Sequence, residues 1–291
     1  MVVVYLQGGL GNQLFQYAAG RRLAVRHGCD LVINPYWFGN PKERETRRDL
    51  ELYDFNIKAR VANGFEQKLW RLMHTRLGGL WGRLFSMSRL HERGVDRRRE
   101  FAVAPDNSYL VGFWQCEDYF SEIREIILDE FTLSSPATIY IKQLADEMDS
   151  CNSVALHVRR GDYLTNKTAA NFHGVCPISY YMEAVSIIAE RVSEPVFYIF
   201  SDDIEWARNH LQFDCPAKFM DSSSLRRAAS DIFLMSKCRH HIIANSSFSW
   251  WGAWLKRYEE GIVIAPTPWF RAQTNVPKIV PDRWLKVPIN E

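Results

Sequence analysis

Hydrophobic and polar positions along the chain change period several times, and the changes mark strands and helices. Val2-Val3-Val4-Tyr5-Leu6 is a short β-branched run, which reads as a buried strand. Gln7-Gly8-Gly9-Leu10-Gly11-Asn12-Gln13 interrupts it with a glycine-rich loop. Leu14 to His27 then places Leu14, Phe15, Ala18, Ala19 and Leu23 on one helical stripe. Asp30 to Ile33 is the next strand, completing a β-loop-α-β unit. Tyr109-Leu110-Val111 reads as a strand running into Gly112-Phe113-Trp114-Gln115, and helices are expected over Ser121–Phe131 and Pro136–Met148.

From residue 153 the alternation is regular. Strands are expected over 153–159, 196–200, 217–220, 240–244 and 262–265, with helices over 178–192, 203–211, 230–238 and 250–258. Strands alternating with helices of this length predict crossover connections and parallel sheets. The fold class is therefore α/β, with two Rossmann-like domains facing across a cleft. The polar stretch Asp149-Ser150-Cys151-Asn152 divides them, giving domains of 1–150 and 151–291.

Residues 66–99 stand apart. Leu69, Trp70, Leu72, Met73, Leu77, Leu80, Trp81, Leu84 and Phe85 recur at helical spacing among nine basic residues, against only Glu66, Glu92 and Asp96. Such a stretch is more often a helical insertion packed on its own domain. A basic amphipathic segment also suits peripheral contact with an anionic membrane surface.

Composition narrows the function class. The net charge of +2 gives no support to a nucleic-acid role, and the basic excess is local and not interleaved with aromatics. Six scattered cysteines without a C-x-x-C pair argue against a zinc site or a disulfide framework, and suit free thiols in a reducing compartment. The first strand begins without a basic, apolar leader, and no apolar run approaches the ~20 residues that span a bilayer. A cytoplasmic location is expected, with the inner face of the membrane open through 66–99.

The chemistry gathers at strand ends, where a parallel sheet places ligands. His157 and Arg159 alternate with Val158, so both face one way as strand 153–159 ends, followed by Arg160, Gly161 and Asp162. Ser201-Asp202-Asp203 and Asn245-Ser246-Ser247-Phe248-Ser249 follow two other strands. Arginine with the backbone N–H groups of a helix start binds a diphosphate without a metal. Asp202 or Asp231, as pure acceptors, suit the N–H donors of a purine. The loop at 8–13, with Gly9, Gly11 and Asn12, lacks the Lys-Ser/Thr of a P-loop and the third glycine of a dinucleotide fingerprint. It can still close on the same diphosphate, although a plain strand-to-helix turn would need the glycines alone. There is no D-x-D metal motif. Arg159 would then stabilise the charge that grows on a departing nucleoside diphosphate. The adjacent His240 and His241 point to opposite faces of a strand and read as structural.

Three separated stretches carry a family resemblance: Gly8-Gly9-Leu10-Gly11-Asn12-Gln13-Leu14-Phe15-Gln16-Tyr17, His157-Val158-Arg159-Arg160-Gly161-Asp162-Tyr163 and Ser246-Ser247-Phe248-Ser249-Trp250-Trp251-Gly252-Ala253-Trp254. In this order they resemble the bacterial and animal α-1,2-fucosyltransferases, from the first strand to about Trp269. The resemblance implies a GT-B architecture, GDP-β-L-fucose as donor, and metal-independent, inverting transfer to the 2-hydroxyl of a terminal galactose. That galactose would end an oligosaccharide or lipid-linked glycan. By similarity also to the protein O-fucosyltransferases, Arg159 holds the β-phosphate and His157 lies beside the donor. Asn12 reaches the diphosphate or fucose, and Asp231 holds guanine. Ser246, Ser247 and Phe248 line the phosphate and base. Arg160, Asn245 and Asp202 complete the expected donor-binding set. His157 and Asp162 are candidate general bases, and a route in which the departing phosphate takes the proton stays open. Two other readings share these residues: transfer from another GDP-sugar, and an idle nucleotide- or glycan-binding protein.

Overall fold

The computed structural model describes residues 1–39, 48–74, 78–92, 98–161, 172, 174–221, 227–271 and 278–289. The chain forms two units. The first is Met1–Ser134 with Asn275–Ile279, and the second is Ser135–Thr274 with Val280–Glu291.

The first unit is built on five parallel strands: β1 (Val2–Tyr5), β2 (Leu31–Asn34), β3 (Arg60–Val61), β4 (Ser88–His91) and β5 (Ser108–Val111), in the order β3-β2-β1-β5-β4. Val2 pairs with Leu31 on one side and Ser108 on the other, so β1 is central. Val2, Val3 and Val4 are fully buried, as a strand covered on both faces requires. Helix α1 (Leu10–His27) covers the sheet. It begins four residues earlier than its apolar stripe predicts, because Gly9 serves as N-cap and its carbonyl accepts the N–H of Asn12 and Gln13 at 2.9 and 3.1 Å.

The stretch 66–99 is not the purely helical insertion expected. It holds short helices α2 (Gly64–Trp70) and α3 (Gly78–Leu84), and then the edge strand β4. Ser88-Arg89-Leu90-His91 has no β-branched residue to announce a strand, and pairing with β5 overrides that weak preference. Trp70, Met73 and Met87 are buried against Val3, Val32 and Tyr109, with Leu69, Trp81 and Phe85 packed beside them. The segment is thus packed on its own unit. Leu80 and Leu84 remain exposed, so the periodic stripe is only partly used.

In the second unit six parallel strands run β6 (Asn152–Val158), β7 (Pro195–Ser201), β8 (Ala217–Phe219), β9 (His240–Ile242), β10 (Val263–Thr267) and β11 (Leu285–Pro288), in the order β11-β10-β9-β6-β7-β8. Helices α4 (Ile139–Asp149), α5 (Ile178–Arg191), α6 (Ile204–His210), α7 (Ala228–Lys237) and α8 (Ser247–Trp254) accompany them. The division between units falls at Ser134, ahead of the expected polar boundary at 149–152. The reason is that the end of α4 is bonded into the second unit. Ser153 Oγ donates to the Met148 carbonyl at 2.7 Å, and Tyr258 donates to Asp149 at 3.1 Å.

His240 and His241 are structural, as their alternation predicts. His240 Nδ1 accepts the Ile262 N–H at 3.1 Å, and the buried His241 ring meets the Met235 carbonyl at 2.8 Å. Burial pushes the His241 pKa down to about 3. The unfolded imidazole takes up a proton near pH 6.5 and the folded one does not, so stability falls as pH drops from about 6.5 toward 3. Thermal or urea unfolding should show the parent losing roughly 2–3 kcal/mol more than His241→Gln between pH 7 and pH 4.5. Parallel curves for the two proteins would contradict this.

Candidate functional site

A parallel sheet binds ligands beyond the carboxyl ends of its strands, where the strand order reverses. In the second unit that point lies between β6 and β9, since β7 and β8 extend to one side and β10 and β11 to the other. The loops after β6 and β9 are the ones that carry the sequence motifs.

His157 precedes the last residue of β6 and is 4% exposed. Its ring lies 5.6 Å from that of Phe248, the second residue of α8, so the two loops meet here. Burial lowers its pKa to about 4, opposed by Asp202 and assisted by Arg159, so the imidazole is neutral at pH 7.

Arg159 stands just beyond the strand. Its Nη1 is 2.9 Å from Asp202 Oδ2, with the two side chains 20% and 24% exposed. The same carboxylate accepts the N–H groups of Arg160 and Gly161 at 2.9 and 3.0 Å. Asp202 therefore fixes both the guanidinium and the loop that follows it. Both oxygens of Asp202, one of the two acceptors expected for a purine, thus meet the protein's own donors. Arg160 is also redirected from its expected place in the anion site. Its Nε lies 3.3 Å from Asp203 Oδ2 and its guanidinium 3.8 Å from the centre of the Trp206 ring. Asp203 in turn caps α6 through the Trp206 N–H. Arg160 thus clamps the β6 loop to α6. Asp162 lies outside the described residues.

On the β9 side, Ser246 is the N-cap of α8, and its Oγ accepts the Phe248 N–H at 3.3 Å. Ser247 opens the helix and is half-buried. Buried Trp250, Trp251 and Trp254 seat this helix. Asn245 is 1% exposed. Its Nδ2 donates to the carbonyls of Gly174 and Trp269 at 3.2 and 3.4 Å, and its Oδ1 accepts from Cys176 Sγ. It is an anchor of the surrounding loops. Asp231 lies half-buried in the first turn of α7, the helix leading to β9.

The first unit has its own reversal point between β1 and β5. Gly8 has φ 81°, and a Cβ there would stand 2.6 Å from Asn12 Nδ2, so the position admits only glycine. Gly11 and Asn12 occupy the first turn of α1, which carries no acidic residue and suits an anion. Gln13 is wholly buried. Its Nε2 donates to the carbonyls of Gly8 and Asp49, and its Oε1 accepts from Glu51 and Leu52. Gln16 exchanges two bonds with the Gln7 backbone. These glutamines hold the loop. Asn12 Oδ1 instead accepts from Gln115 Nε2 at 2.7 Å, on the loop after β5. Gln115 was not singled out from the sequence, where the strand end at Gly112 was the available signal.

Comparison with known proteins places these arrangements. Residues 93–285 match the model of glycosyl transferase family 11. The chain belongs to that family. An α-1,2-colitosyltransferase of Escherichia coli is 36% identical, aligned over 99% of each chain. The O-antigen biosynthesis glycosyltransferase WbnK of Escherichia coli is also 36% identical, over 97% of this chain and 99% of its own. The fucosyltransferase NodZ from Bradyrhizobium shares the GT-B fold, with a TM-score of 0.54 at 16% identity over 88% of this chain and 92% of its own. The resemblance to α-1,2-fucosyltransferases is borne out, and this family 11 chain is a glycosyltransferase. Among the described residues, no helix is long and apolar enough to cross a membrane.

The clamp on Arg159 is testable through Gly161, where a Cβ would stand 2.6 Å from Asp202 Oδ2. Gly161→Ala should displace that carboxylate and lower kcat/KM about 10-fold or more, with a stability change of only about 1 kcal/mol. Steady-state transfer assays beside thermal melts check it, and unchanged kcat/KM would contradict the clamp.

Proposed function

We propose that this glycosyltransferase moves L-fucose from GDP-β-L-fucose to the 2-hydroxyl of a terminal galactose, with inversion and without a metal ion. The observation that carries the reading is the Asp202-fixed guanidinium of Arg159 at the strand-order reversal, two residues beyond His157, whose ring meets Phe248 in the first turn of α8. A guanidinium held in place, with helix amide donors near it, meets the charge that builds on a departing β-phosphate without having to reorganise. The names of the relatives support an α-1,2 linkage, and NodZ has been crystallised with GDP and soaked with GDP-fucose.

In this reading Arg159 and the Ser246–Ser247 helix start take the diphosphate, and Asn12 offers an amide to the donor. His157, neutral and buried under Phe248, lies beside the sugar and is one candidate to accept the acceptor's proton. Asp162 is the other, and the departing phosphate is the third. Asp231 takes the guanine N–H donors. A galactose-terminated O-antigen oligosaccharide, free or lipid-linked, is the acceptor class, handled in the cytoplasm or at the inner face of the membrane.

The colitosyltransferase relative favours one second reading, a colitosyl donor. Colitose is fucose without its 3-hydroxyl. A site that hydrogen-bonds that hydroxyl discriminates strongly against the deoxy sugar, whereas an apolar one discriminates weakly. Offering both donors with a panel of galactosides, and identifying the product linkage, separates them. GDP should stabilise the protein against heat more than UDP or CDP does.

Arg159→Lys keeps the charge but loses the planar fork, and should lower kcat about 10²-fold. Activity should persist in EDTA. Transfer at the parent rate by a folded Arg159→Lys protein, or loss in EDTA that Mg²⁺ restores, would overturn the corresponding part of the reading.

A further inference from the structure

Gln115 owes its position to an unusual turn. β5 ends at Val111, and Trp114 then adopts φ 56°, a left-handed conformation that a side-chain-bearing residue rarely takes. Such a residue is strained and persists only where its surroundings over-determine it. Here they do. Trp114 is fully buried, its ring 5.6 Å from Phe101 and 5.1 Å from Tyr119. Its backbone N–H donates to the carboxylate of Glu92, which is 9% exposed. The turn is closed by the Cys116 N–H, which reaches the Trp114 carbonyl at 2.8 Å. Its product is the placement of Gln115, whose amide meets Asn12 on the first turn of α1.

A primary amide presents an acceptor at one end and donors at the other. Gln115 takes the acceptor end of Asn12, and the donor end lies against Gly8, where even a methyl group would collide with it. The Gln115 bond thereby sets the sense of the Asn12 amide. Gln13 and Gln16, its neighbours in the motif, have their amides bonded to backbone. Asn12 alone of the three is held by another side chain instead.

We propose that Gln115 is a positioning residue for the transfer reaction. It holds the Asn12 amide oxygen so that the Asn12 N–H donors face the anionic part of the sugar donor, and the strained Trp114 turn exists to place it. The proposal rests on the reading of Asn12 as a donor-site residue. Gln115 acts through Asn12 and touches neither the reacting atoms nor the nucleotide.

A double-mutant cycle tests it with the full chain. Gln115→Met keeps the length of the side chain and removes its hydrogen bond. In the parent it should lower kcat/KM for the donor about 10-fold and raise the donor KM. In an Asn12→Ala background the same change should cost less than about 2-fold, because neighbours acting as one unit are not additive. Melting temperatures of all four proteins, and Gln115→Ala in both backgrounds, guard against a simple folding defect. An equal fold-loss in both backgrounds would overturn the proposal, because a purely structural Gln115 would not depend on Asn12. Parent activity in Asn12→Ala beside an impaired Arg159→Lys would also overturn it, together with the reading of Asn12, while leaving the reading of Arg159 standing. The coupling appearing beside an unimpaired Arg159→Lys would support the Gln115–Asn12 pair and remove the reading of Arg159.

Discussion

A cation at the end of a buried strand has to be answered by a nearby anion, and that requirement organises the second unit. β6 and β7 run in register, with Val158 opposite Ser201. The next step along each chain brings Arg159 to Asp202. An exposed pair of this kind contributes little to stability. This one is largely shielded, and its carboxylate also gathers two backbone N–H groups. The result is less a stabilising bond than a fixed direction for the guanidinium. His157, two residues back and on the same side of the strand, is carried under Phe248 by the same register.

The strand-helix alternation was legible because parallel strands buried on both faces are almost continuously apolar, as Val2–Val4 and Val154–Val158 are. Helix starts were less so. Both α1 and α8 begin three or four residues before their apolar stripes, at Leu10 and Ser247. Glycine and serine there have poor helical preference, and tertiary ties such as those of Gln13 hold the turn regardless. The short strands β3 and β4 have no pattern of their own and exist because a neighbour offers a free edge.

The division of labour inside the motifs was the least legible part. Arg159 and Arg160 are adjacent and chemically identical, yet one stands at the strand-order reversal and the other is stacked on Trp206. Asn12 and Gln13 differ in the same way, as do Ser247 and Asn245. A polar residue in a loop can bind a ligand or build the loop that binds it. Only the hydrogen-bond partners tell the two apart, and those come from segments distant in sequence, such as Asp49, Gly174 and Trp269.

The internal answer to Arg159 bears on which solutes can compete at this spot. A guanidinium already matched by Asp202 presents a nearly balanced surface, so a lone inorganic anion gains little by approaching it. A longer molecule, reaching several amide and hydroxyl groups at once, can outweigh the resident carboxylate. Indifference to inorganic phosphate would then come from the protein's own acid, with no physical barrier needed to keep small ions out.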